Sequence, residues 1–108
     1  MASTADIQKI LNDMRSAIDS GKFTHVDRKK NMDTLALLGL TWQDAKDEIY
    51  TLEPKHYRQG PLDDRDIPAS DKLWVFKKVV DGHVIYIKFK IVYMEDGRVK
   101  LLSFHIDE

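Results

Sequence analysis

At Leu73 the hydrophobic period of this chain changes from that of a helix to that of a strand, and two Asp-Gly pairs divide the remainder into three segments. LWVFKKVV, VIYIKFKIVYM and VKLLSFHI alternate in character around Asp81-Gly82 and Asp96-Gly97. Asp-Gly favours two-residue hairpin turns of type I′, because both turn residues need positive φ. Such turns set register. The first pairs Val80 with His83, hence Phe76 with Ile87, Trp74 with Phe89 and Lys77 with Tyr86. The second pairs Glu95 with Arg98, hence Phe89 with Phe104, Ile91 with Leu102, Lys88 with His105 and Lys90 with Ser103.

The two registers agree. Trp74, Phe76, Ile87, Phe89, Ile91, Leu102, Phe104 and Ile106 gather on one face, and a slip of one residue would scatter them. The other face collects Lys77, Tyr86, Lys88, Lys90, Ser103 and His105.

The first half reads as helical. Ile7, Ile10, Leu11, Met14, Ala17 and Ile18 form one stripe at helical spacing, with Ser3 or Thr4 as cap and Ser20-Gly21 as stop. KFTHV, residues 22–26, is expected to be a short extended piece. A second helix runs through NMDTLALL to Gly39, and Thr41 with Asp44 resembles a capping box opening a third through WQDAKDEIYTL. Pro54 ends it.

Residues 54–71 hold all three prolines and are expected to be a loop. The expectation is an α+β fold in one domain, 1–108. Its helical half spans about 4–53 and packs on one face of an antiparallel β-meander at 72–106.

With 108 residues the chain has room for one modest core. It has no cysteine, which excludes disulfides, thiolate-bound zinc and thiol chemistry. MASTADIQKI lacks the build of a secretion signal and no apolar run is long enough to span a bilayer, so a cytoplasmic protein without membrane contact is expected. The net charge is −1, yet residues 72–105 carry seven basic side chains against three acidic ones. A local basic field of that kind attracts a polyanion.

RNA can be cut without metal by its own 2′-OH, provided a protein removes that proton, protonates the leaving oxygen and steadies charge on phosphorus. Lysine suits the charge and histidine the proton transfer. Lys88 opposite His105 would push the histidine pKa down and keep it neutral. Tyr86 can donate to phosphate or stack on a base. The same residues have an ordinary explanation as well. Lysines on an outer sheet face keep it soluble and discourage edge pairing, and Tyr86 can pack on the stem of Lys77.

Other motifs say less. LDDRD, residues 62–66, has no regular metal-ligand spacing, and His25, His56, His83 and His105 form no zinc motif. No cofactor is implied, since neither a phosphate loop nor a dinucleotide fingerprint is present.

LALLGLTWQDAKDEIYTL, HYRQGP, LWVFKKVVDGHVIYIKFKI and VKLLSFH, in that order from about Leu35 to His105, resemble the MqsR-like mRNA interferases, grouped distantly with RelE-type ribonucleases. The resemblance implies a RelE-like sheet with an RNA-cleaving face and an antitoxin encoded alongside. The family's Tyr-x-Lys strand falls on Tyr86 and Lys88, and its basic residue after an aromatic in the loop before the sheet falls on Arg58. Its last-strand lysine falls on His105, and a glutamine after the strand tryptophan is replaced by Val75.

The combined reading is a metal-independent endoribonuclease toxin acting on mRNA, alone or on the ribosome. Tyr86, Lys88 and His105 are the candidate catalytic residues, and Lys77, Lys90 and Arg58 the candidate substrate-binding ones. The rival is a non-catalytic interaction or regulatory module that uses the same basic face to bind protein.

Overall fold

The computed structural model describes residues 2–67 and 71–108; Pro68, Ala69 and Ser70, in the expected loop, lie outside the described residues, as does Met1. Three helices, α1 (Thr4–Asp19), α2 (Lys29–Leu38) and α3 (Trp42–Tyr50), precede most of the sheet. The strands are β1 (Phe23–His25), β2 (Tyr57–Leu62), β3 (Leu73–Val80), β4 (His83–Val92) and β5 (Arg98–Ile106), in the spatial order β1-β5-β4-β3-β2. Neighbours are antiparallel except β1 and β5. The fold is α+β, as expected. None of the described helices is long and apolar enough to cross a membrane.

The helix starts follow their caps. Ser3 accepts from the Asp6 amide and Asp6 reaches back to the Ser3 amide, a reciprocal pair that satisfies two otherwise orphaned donors. Thr41 and Asp44 repeat the arrangement at α3, so the shorter aspartate completes a capping box as glutamate would. Gly39, at φ +68°, ends α2 in the left-handed conformation that a glycine adopts without strain.

Ile7, Ile10, Leu11, Met14 and Ala17 of α1, with Ala45 and Ile49 of α3, cover one sheet face. Against them lie Trp74, Phe76, Ile85, Ile87, Phe89, Ile91, Val99, Leu101 and Phe104. Phe76 and Phe89 stack at 5.6 Å between ring centroids. Each of these fully buried rings contributes roughly 1.5–3 kcal/mol through removal from water.

The first hairpin has the expected register throughout, from Val80–His83 to Trp74–Phe89, and Asp81 and Gly82 both have positive φ. The second does not. The strands meet at Val92 and Arg98, not at Glu95 and Arg98, because Tyr93–Gly97 form a wider connection. The Glu95 and Gly97 amides both donate to the Val92 carbonyl, and the Asp96 carboxylate holds the Arg98 amide and guanidinium instead of shaping a two-residue turn.

A bulge then interrupts β5 at Leu102, beyond which Lys88 pairs with Ser103, Ile87 with Phe104 and Tyr86 with His105. Lys88 was expected opposite His105 and meets Ser103, a displacement of two residues. A shift of two preserves the face on which a side chain lies. Tyr86, Lys88, Ser103 and His105 therefore still share one face. Leu102 does not keep its expected place in the core. It is buried on the opposite face, and Leu101 and Val99 take the core positions.

Two further departures concern the edges. The expected loop contains β2, which pairs with β3 through two irregularities that hide its alternation. Gly60 passes so close to Trp74 that an added Cβ would stand 3.0 Å from its ring. At the other edge β1 adds a parallel strand along Val99–Leu101, and α2 takes over where β1 ends. The buried Asn31 amide donates to the Val26 and Leu102 carbonyls and accepts from the Phe104 amide, and Thr34 accepts from the Ile106 amide. These side chains do for the second half of β5 what a neighbouring strand would, and so satisfy backbone groups that β1 does not reach.

Candidate functional site

The face away from the helices is shaped by alternation along β3, β4 and β5. Tyr86 lies between Lys77 on β3 and His105 on β5. The Tyr86 and His105 rings stack, with centroids 5.3 Å apart and planes 20° from parallel. His105 Nδ1 lies 3.0 Å from the Ile106 carbonyl oxygen, which can only accept, so Nδ1 carries a proton. In the neutral ring this leaves Nε2 as the base.

Lys88 lies one pair further along, between Val75 and Ser103. Burial, then the Arg28 guanidinium, pull its pKa below that of an ordinary lysine, against the opposing pull of Asp64 and Asp66. Among the described residues Lys88 forms no side-chain hydrogen bond or ion pair. Val75, where the resemblance had a glutamine, is buried and offers Lys88 no polar partner.

The remaining expected residues are occupied elsewhere. Lys77 is ion-paired with Asp107 at 2.8 Å, at the rim of the Tyr86–His105 stack. Lys90 is only 4% exposed and pairs with Asp64 at 3.0 Å, so it lies beneath the face rather than on it. The Lys90 ammonium holds the Asp64 carboxyl below the usual carboxylate range. Asp64 also accepts from the Asp66 and Ile67 amides, which pins segment 62–67 over the sheet. Arg58 sits in an irregularity of β2 and turns its guanidinium to the Lys55 and Tyr57 carbonyls. The structure thus groups Tyr86, Lys88 and His105, leaves Lys77 adjacent, and does not bring Lys90 or Arg58 to them.

Segment 62–67 and the start of α2 enclose a cleft of about 470 Å³ above this face. Tyr86, Lys88, Lys100, Arg28 and Arg65 line it, together with Asp63, Asp64 and Asp66 and an apolar floor that includes Leu73 and Leu102. Arg28 and Lys100 did not emerge from the sequence as site residues. Alternation through the expected second hairpin assigns Lys100 to the core face, and the bulge at Leu102 reverses that. Arg28 opens the run RKK at the start of α2, and its distance in sequence from the strands hides its place in the cleft. Among the described residues no group of three His, Asp or Glu side chains is placed to hold a metal ion.

With α1 and α3 on one face of a five-stranded sheet, α2 along its β5 edge and a cleft lined by basic side chains and Tyr86 on the other face, the chain is a small α+β protein. The family model described as "Motility quorum-sensing regulator, toxin of MqsA" matches residues 8–106, nearly the whole chain. The chain belongs to this MqsR toxin family, and is therefore a toxin of the toxin–antitoxin kind with an antitoxin as its partner. No curated protein and no solved structure matches it.

Proposed function

We propose that this toxin is an endoribonuclease that cleaves mRNA in the cytoplasm by attack of the substrate's own 2′-OH. The observation that carries the reading is the Tyr86–His105 stack, whose tyrosine lines one cleft together with Lys88, a cation without a side-chain partner among the described residues. His105 Nε2 takes the 2′-OH proton, and the 2′-oxygen bonds to phosphorus as the bond to the 5′-oxygen breaks. The products are a 2′,3′-cyclic phosphate and a 5′-OH. The Lys88 ammonium neutralises the extra charge on phosphorus and, its pKa lowered by burial and Arg28, protonates the leaving oxygen. Tyr86 hydrogen-bonds to a phosphate oxygen and orients the imidazole by stacking. Lys77 supports the RNA backbone at the rim.

Two expected contacts leave the proposal. Lys90 is engaged under the surface by Asp64, and Arg58 by backbone carbonyls of its own segment.

The test is cleavage of a long unstructured RNA by purified protein in excess EDTA, with and without translating ribosomes. The Tyr86→Phe/His105→Ala double variant runs alongside. Cuts by the wild type that disappear in a folded double variant support the reading. Absence of cuts under both conditions would leave the cleft to a protein ligand and overturn it.

A further inference from the structure

We propose that Arg28 is a substrate-binding residue of this toxin, which together with Lys88 grips the scissile RNA phosphate in the cleft between α2 and segment 62–67. The proposal rests on the ribonuclease reading and extends it to a residue outside the sheet.

The argument begins with which cations already have partners. Lys72, Lys77, Lys78, Lys90 and Arg98 are each ion-paired to a named acid. Arg28, Lys88 and Lys100 line one cleft, and among the described residues none of the three makes a side-chain hydrogen bond or ion pair. Arg28 stands at the N-cap position of α2 yet makes no side-chain capping bond, so local helix structure does not account for it.

The charge balance points the same way. Asp64 is committed to Lys90 and Asp63 to Lys72. Of the acids lining the cleft this leaves Asp66 against Arg28, Arg65, Lys88 and Lys100, so positive charge is in excess there. Holding two like charges together without an intervening anion is unfavourable, and a phosphate between them relieves it. Guanidinium suits this role because its planar donors match two phosphate oxygens at once. The stacked Tyr86 ring and the apolar floor at Leu73 and Leu102 lie in the same cleft, beside the phosphate, where a base can rest.

The experiment measures binding of a fluorescent single-stranded oligoribonucleotide, 2′-O-methylated throughout so that it cannot be cut, across a salt series. Arg28→Ala should weaken binding about tenfold and reduce the slope of log affinity against log salt by about 0.7, one phosphate contact on a single strand. Arg28→Lys should keep the slope and recover much of the affinity. Lys9→Ala, on α1 across the core, should match the wild type. Arg28→Gln carries the same test should alanine disturb α2.

If wild-type protein binds and the neutral Arg28 variants keep its affinity and slope, Arg28 has no such role and the ribonuclease reading stands. A loss of affinity with an unchanged slope would also overturn the phosphate contact. If wild-type protein binds no free oligoribonucleotide, the inference falls, and the ribonuclease reading is decided by the cleavage test with translating ribosomes.

Discussion

Tyr86 and His105 stand face to face on neighbouring strands, their ring centroids 5.3 Å apart, and the Ile106 carbonyl fixes which nitrogen of His105 is left to act. The contact depends on the wide Tyr93–Gly97 connection and the bulge at Leu102, which together set His105 opposite Tyr86 instead of Lys88. It also separates two roles. In the proposed mechanism the imidazole is the base, while the ammonium one pair further along serves the phosphate charge and the leaving oxygen.

His105→Ala should therefore lower RNA cleavage by roughly 10²–10⁴. The side chain is half-buried at the sheet's outer face, so unfolding temperature should change little. Single-turnover cleavage together with thermal melts checks both parts. A modest activity loss that tracks a loss of fold would assign His105 to structure.

In the proposed mechanism Lys88 should set the alkaline side of the pH profile. Its pKa lies below that of an ordinary lysine because burial and Arg28 disfavour the charged form, so activity that needs the ammonium should fail at a lower pH than an unperturbed lysine would impose. Arg28→Ala removes one of the two causes, and the alkaline limb should move upward. A pH–rate series on both proteins reads this directly, and an unmoved limb would mean that Lys88 does not control it.

Asp64 should link stability to acid. Its pKa is depressed in the folded state, chiefly by the hydrogen bond from Lys90. The resulting stabilisation is present above the unfolded-state pKa of about 3.9 and lost as pH falls through the lower folded value. Asp64→Asn should cost about 3 kcal/mol at neutral pH by weakening the hold on a buried ammonium. Urea denaturation of the variant at neutral and acid pH should show the difference shrinking as acid is added. A difference that does not change with pH would mean the charge of Asp64 is not what stabilises.

Asn31→Leu should destabilise by about 3 kcal/mol, since it removes the partners of the Val26 and Leu102 carbonyls and the Phe104 amide. Hydrogen exchange should locate the damage. The Phe104 amide should lose protection, while amides in the β3–β4 hairpin should keep theirs.

Much of this architecture was written in local patterns. The α1 stripe and its cap, the Thr41–Asp44 capping box, the stop at Gly39 and the whole first hairpin come from spacing and turn chemistry, because neighbours in sequence decide them. Tyr86, Lys88 and His105 were legible as one group for a reason that survives an error. The second hairpin is displaced by two residues beyond its bulge, and alternation returns the same side chains to the same face.

Tertiary structure alone decided which residues lie opposite one another and which charges are spent. Asp96 could have shaped a tight turn and instead holds Arg98, and no local pattern announces that choice. Lys88 and Lys90 look alike on one strand. Only the docking of segment 62–67 buries Lys90 against Asp64, while Lys88, in the cleft with Arg28, has no ion-pair partner among the described residues. Alternation assigns a side chain to a face, but its availability depends on partners brought from far along the chain, and those contacts exist only after the fold has closed.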